Sequence, residues 1–211
     1  MKSQMVLAAA CAALVGWTAA GAAVRIEADR AEVVIAADAP KTVRFAAEEM
    51  TNLLSQTFGK AVPVVNAPTE GRVSIVLGDN AWSRAAGIDV SPLVRDGFVI
   101  RTAGNRVYIA GKDDPKKDPW QVLDNGNWSP VVFERATLFG VYEFLERFAG
   151  VRFYFPGELG TIVPRKDRIV VPEGSFTSAP VYTVRRYSAF WDGSWFEGED
   201  RDNALHPGRK L

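Results

Sequence analysis

A single cysteine, Cys11, and a single histidine, His206, are all that this chain offers of two residue types that carry much of protein chemistry. One histidine removes Ser-His-Asp and Cys-His catalysis and any multi-histidine metal site. One cysteine removes intramolecular disulfides, so stability must come from the core. An excess of charge of one sign is also missing, with 25 basic residues against 25 acidic ones. No basic tract interleaves with aromatics, which excludes a nucleic-acid footprint. The glycines between Gly97 and Gly111 lack the spacing that cradles phosphate before a helix. Past the first residues no segment is long and apolar enough for a membrane span. No cofactor and no metal is expected.

What is present begins with a targeting segment. Lys2 supplies a short basic region, Met5–Trp17 is apolar but shorter than the roughly 20 residues a spanning helix needs, and Ala20-Gly21-Ala22 fits the small-x-small cleavage pattern. Residues 1–22 therefore read as a signal peptide and Ala23 as the first mature residue. The expected destination is periplasmic or extracellular.

Val24–Ala28 and Val33–Ala37 are short β-prone runs either side of Asp29-Arg30 and suggest an opening hairpin. Pro40 suits the first helical position. From there Val43, Ala46, Ala47, Met50, Leu53, Leu54 and Phe58 recur at three- and four-residue steps, and Gly59 supplies the stop. Glu48 and Glu49 point about 100° apart on such a helix, so they read as a solvated face rather than an acid/base pair. Val62–Val65 and Val73–Leu77 read as buried strands. Ala81–Leu93 reads as irregular with room for a short helix. Phe98–Ile109 alternates across Ala103-Gly104-Asn105 as a half-buried hairpin. Leu138, Val141, Tyr142, Leu145 and Phe148 line a second helix over Arg135–Ala149, ended by Gly150. Val151–Phe155 and Ile169–Val171 follow as strands, and Pro172-Glu-Gly174 closes the domain. This order predicts an α+β two-layer sandwich, a mixed β-sheet with two helices on one face.

Between Lys112 and Ser129 runs a long loop with Trp120 and Trp128 around Asp124-Asn-Gly-Asn127. Loops of this length in a compact domain are usually functional or disordered. The tryptophans either form a sugar-stacking platform or pin the loop by burying apolar area; both readings stand. Asp113, Asp114, Asp118 and Asp124 are acidic, but their spacing matches no calcium loop.

Two stretches carry a resemblance: DGFVIRTAGNRVYIAG at Asp96–Gly111 and RATLFGVYEFLERFAGVRFYFPGELGTIVP at Arg135–Pro164. Together they resemble the N-terminal accessory domain of the alpha-glucuronidases, which also occurs in beta-hexosaminidase-like glycosidases. The resemblance implies a hexosaminidase-type non-catalytic domain at residues 23–174, placed before a catalytic barrel, in a protein acting on polysaccharide or glycan. Residues 175–211 then read as a linker and the start of a truncated barrel domain, since a barrel needs roughly 200 residues. By the resemblance to the hexosaminidase-like enzymes Arg185, at the matching distance from Pro180, falls where an arginine holds substrate hydroxyls, whereas the glucuronidase frame places its arginine one residue later, at Arg186. Trp191-Asp192 reproduces the glucuronidase Trp-Asp pair five residues after Arg186, while Ser188-Ala-Phe190 replaces that family's Asn- and His-containing stretch. A solvated strand end is the other reading of the arginines. The expected partners are the missing C-terminal barrel and, through the Trp120–Trp128 loop, carbohydrate. No catalytic residue is expected within the chain, and the alternative is a freestanding carbohydrate-binding or interaction module.

Overall fold

The computed structural model describes residues 23–124, 133–155 and 157–180. Its strands and helices, in chain order, are β1 (Val24–Glu27), β2 (Ala31–Val34), α1 (Lys41–Phe58), β3 (Val64–Val65), β4 (Val73–Leu77) and α2 (Ala81–Ala85). They continue with β5 (Phe98–Ala103), β6 (Arg106–Gly111), α3 (Pro119–Asp124), α4 (Ala136–Phe144), β7 (Arg152–Phe153), β8 (Thr161–Ile162), β9 (Arg168–Val171) and β10 (Ser175–Ser178).

A six-stranded mixed sheet runs in the order β10-β5-β6-β4-β2-β3. β6, β4, β2 and β3 are parallel to one another, and β5 is antiparallel to both β6 and β10. Parallel neighbours require crossovers, and each crossover must lay a helix or loop on a sheet face. α1 and α4 cover one face, where Met50, Leu54, Ile75, Ile100, Ile109, Val141 and Phe144 form the main core. The other face carries Val34, Val76, Val99, Tyr108 and Ala110 under Trp82, Ile88, Val90 and Leu93. The α+β sandwich with two helices on one face is thus the observed architecture, with α2 and the loop after it as a thin second cover. That cover also explains why β6 is buried on both faces, where a half-buried hairpin was expected.

α1 follows the sequence reading closely. Pro40 precedes it with φ −55°, the value its ring favours, and Gly59 ends it in the left-handed region at φ +67°. The 3.6-residue period puts Val43, Ala46, Ala47, Met50, Leu53 and Leu54 on the sheet. Glu48 is exposed, whereas Glu49 is half-buried and accepts a hydrogen bond from the Tyr142 hydroxyl at 2.9 Å, tying α1 to α4.

α4 ends in a wider turn, Leu145–Ala149, with the π-helical pattern that admits one extra residue. Gly150 closes it at φ +79°. Phe144 and Ala149 join the expected stripe in the core. Gly140 lets α4 sit close to the sheet: a β-carbon there would lie 2.5 Å from Ile109 Cγ2 and 3.2 Å from Phe98 Cδ2.

Four expectations need correction. The opening hairpin does not form: β1 pairs antiparallel with β9, Val24 opposite Val171, in a separate two-stranded sheet. β2 instead enters the main sheet, and its residues Ala31–Val34 are buried on both faces, the pattern of an interior parallel strand. β3 lies at the sheet edge, so Val64 is 44% exposed rather than buried. The strand expected over Val151–Phe155 is only β7, paired with β8 away from the main sheet, because the chain leaves the core after the buried Val151. Finally, the domain does not close at Gly174. The Thr102 hydroxyl accepts from Gly174 N at 2.7 Å, and β10 then adds to β5 with Phe176 buried against Phe98.

Leu145 is fully buried, so Leu145→Ala is expected to cost about 2–5 kcal/mol in denaturant melts. A loss below about 0.5 kcal/mol would mean that the core does not close around the π turn.

Candidate functional site: a crevice at the carboxyl ends of the parallel strands

Three parallel strands, β2, β4 and β6, end side by side, and a crevice of about 650 Å³ opens beyond them. Its walls come from the β2–α1 connection, the β4–α2 connection and the chain after β6. Chain leaving β2 enters α1 on one sheet face, while chain leaving β4 enters α2 on the opposite face. The two connections diverge, and the gap between them is the crevice.

Each wall is fixed by its own sequence. On the α1 side Arg44 donates to the carbonyls of Ala37 (2.6 Å) and Ala39 (3.0 Å), which holds the loop carrying Asp38. On the α2 side Asn80 caps the helix. Its Oδ1 accepts from Trp82 N (3.0 Å) and Ser83 N (3.1 Å), and Asn80 N donates to Ser83 Oγ (2.9 Å), a reciprocal capping box. Its Nδ2 donates to Leu77 O and Gly78 O, so the side chain is saturated. Gly78 forms part of the floor at φ +87°, where a β-carbon would press on both Val43 methyls at 3.1 Å. Asp79 pairs with Arg84 through two 2.8 Å hydrogen bonds.

The third wall centres on Asp113. α4 has no side-chain cap of its own at Arg135. Asp113, from the end of β6, substitutes for one: Oδ1 accepts from Thr137 N at 3.2 Å, and Oδ2 accepts from the Thr137 hydroxyl. That hydroxyl in turn accepts from Gly111 N at 3.2 Å. A directed relay therefore links β6 to α4. Asp113 is half-buried at the edge of the crevice, and both of its carboxyl oxygens are taken up by Thr137. Burial pushes its pKa up to about 7, against the pull of the Thr137 bonds, and the negative charges of Glu134 and Asp79 add to the rise. Lys112 beside it donates to Leu93 O at 2.6 Å.

The residues singled out in the sequence lie elsewhere. Trp120 sits in α3, where Asp118 Oδ1 accepts from its backbone N–H and its ring meets Phe45 of α1 edge-on at 5.4 Å. Asp118 also pairs with Lys41 at 2.6 Å, so this stretch is fastened to α1. Trp128, Arg185, Arg186, Trp191 and Asp192 lie outside the described residues. Sequence reasoning missed the crevice set of Asp38, Asp79, Asn80, Trp82, Lys112 and Glu134. Its only signal was a polar pair, Asp79-Asn80, directly after a buried strand.

Residues 20–115 match the family model described as "Glycosyl hydrolase family 67 N-terminus". Over that stretch the chain is similar to the N-terminal domain of this glycoside hydrolase family. The GH20 beta-N-acetylhexosaminidase of Streptomyces coelicolor A3(2) shares its fold, with a TM-score of 0.50 and 16% identity over 80% of this chain. A family GH115 4-O-methyl-alpha-glucuronidase with specificity for decorated arabinogalactans aligns over 74% of this chain at 14% identity and a TM-score of 0.46. The aligned part spans 26% of the hexosaminidase and 18% of the glucuronidase. No curated protein sequence matches the chain.

The Asp113 carboxyl titrates near 3.8 in an unfolded chain and near 7 in the fold. The folded state holds its proton more tightly, so the stability from this group is complete below about pH 4 and is lost as pH rises through 7. Asp113→Asn keeps an oxygen for the cap and removes the titration. Urea melts should show the native protein losing stability from about pH 4 to pH 8 and the variant losing less. Parallel profiles would place the carboxyl in water.

Proposed function

We propose that this chain serves as an exported, non-catalytic accessory domain of a glycoside-hydrolase-like protein acting in polysaccharide or glycan breakdown. The observation that carries this reading is an apolar ridge built from the β7–β8 hairpin. Tyr154 is 73% exposed, Phe155 57%, Leu159 89% and Ile162 52%. Apolar residues scattered singly on a surface are ordinary, but four large ones exposed within a single short hairpin favour an interaction site. Its natural cover is another domain of the parent protein, a catalytic barrel in the glycoside hydrolase setting that the family match supports. Export is supported by the apolar leader ending in Ala20-Gly21-Ala22.

The crevice carboxylates support a non-catalytic role. Glycoside hydrolysis needs two carboxyl groups about 5–10 Å apart and free to act across a sugar. Asp113 is committed to capping α4 and Asp79 is held by Arg84, so of the crevice carboxylates only Asp38, exposed to water, and Glu134 are left to act across a sugar. The alternative, a freestanding carbohydrate-binding module working through Trp120 and Trp128, is the weaker reading, because the Trp120 ring is already packed on Phe45.

Secreted from a bacterial host, the chain should have an intact mass that begins at Ala23, and the purified protein should turn over no aryl glycoside, glucuronides and N-acetylhexosaminides included. Hydrolysis abolished by one Asp or Glu substitution would make it an enzyme in its own right, and a retained leader would sink export. Phe155→Ser with Leu159→Ser should change stability by less than about 0.5 kcal/mol while reducing binding of an apolar dye. A loss of several kcal/mol would show instead that the ridge belongs to the core.

A further inference from the structure

We propose that the crevice beyond β2, β4 and β6 is a binding site for an uncharged saccharide of one or two rings. In open sheets with parallel strands, ligands settle outside the carboxyl ends where successive connections depart to opposite faces. β2 and β4 meet that description, with α1 on one face and α2 on the other. A volume of about 650 Å³ falls within the range of small-molecule sites.

The lining selects the ligand chemistry. Asp38, Asp79 and Glu134, with Asp113 only partly ionised near neutrality, face two cations, Arg84 and Lys112, and both cations already donate to protein acceptors. The crevice is therefore rich in acceptors and negative in balance, which repels phosphates, uronates and other anions. The amide groups at the start of α2, which could otherwise take an anion, are filled by Asn80 Oδ1. What remains favoured is a ligand with many hydroxyl donors and one apolar face. The hydroxyls suit the carboxylates of Asp38 and Glu134, and the apolar face suits the half-buried indole of Trp82. The walls are held beforehand by the Asn80 capping box, by Arg44 and by the Gly111–Thr137–Asp113 relay, so little ordering is required on binding.

This site is separate from the apolar ridge and involves no turnover, so its failure would leave the accessory-domain reading untouched. The test is an amide chemical-shift titration of the full chain with xylobiose, cellobiose and N,N′-diacetylchitobiose, alongside glucuronic acid and inorganic phosphate. A neutral disaccharide should shift the amides of Gly78, Asp79, Asn80, Trp82, Lys112 and Asp113 with a millimolar Kd. Glucuronic acid and phosphate should not. Asp38→Ala and Glu134→Ala, both on accessible side chains, should each weaken binding about tenfold with unchanged folded spectra. No response to any neutral sugar, a stronger response to glucuronic acid, or shifts centred on Trp120 would each overturn the proposal.

Discussion

Parallel pairing of β2, β4 and β6 is the constraint on which the rest of this fold depends. Parallel strands cannot be joined by a tight turn, so every connection must cross a face of the sheet. α1 crosses one face after β2, and α2 starts across the other after β4. Both faces of the central strands are consequently buried, which is why Ala31–Val34 and Val73–Leu77 are apolar on successive residues rather than on alternate ones. Glu32 and Ser74 are the exceptions, and they meet each other. The buried Glu32 carboxylate accepts from Ser74 Oγ and Thr69 N and lies 3.4 Å from Arg72, so it fastens β2 to β4 and to the turn before β4.

The crevice is a by-product of the same constraint, and its third wall depends on a trade. α4 begins without a cap of its own, and Asp113 provides one from the far end of β6. Capping favours the carboxylate, yet the site that lets Asp113 reach Thr137 also removes it from water. Desolvation is the larger effect here, and the carboxyl titrates near neutrality. A perturbed carboxyl in a cleft is a common sign of catalysis, but both oxygens of Asp113 are used in holding α4.

Local features of this fold were legible in the sequence, and non-local ones were not. α1 could be read because its period, its preceding Pro40 and its terminal Gly59 all act within one helix. The β5–β6 hairpin could be read because Gly104-Asn105 turns the chain between adjacent strands. The β1–β2 hairpin was misread for the converse reason. β1 finds its partner in β9, at the other end of the domain, and no short-range pattern encodes that pairing. The crevice was illegible because three loops distant in sequence build it, and each looks like an ordinary strand exit by itself. Trp120 drew attention as an aromatic in a polar loop, but its ring found Phe45.

The two candidate surfaces lie at opposite ends of one helix. Asp113 caps the start of α4 beside the crevice, and the β7–β8 hairpin leaves after Gly150 at its far end. Residues 136–149 rise about 20 Å along the helix axis. Tyr154, Phe155 and Leu159 on the one hand and the carboxyl ends of β2, β4 and β6 on the other therefore lie toward different ends of α4. Coupling between the two would have to pass along α4 itself. Its contacts with the sheet are tight at Gly140, where no β-carbon fits against Ile109. A helix held that closely resists deformation along its length, and it is the element that the hairpin and the crevice share.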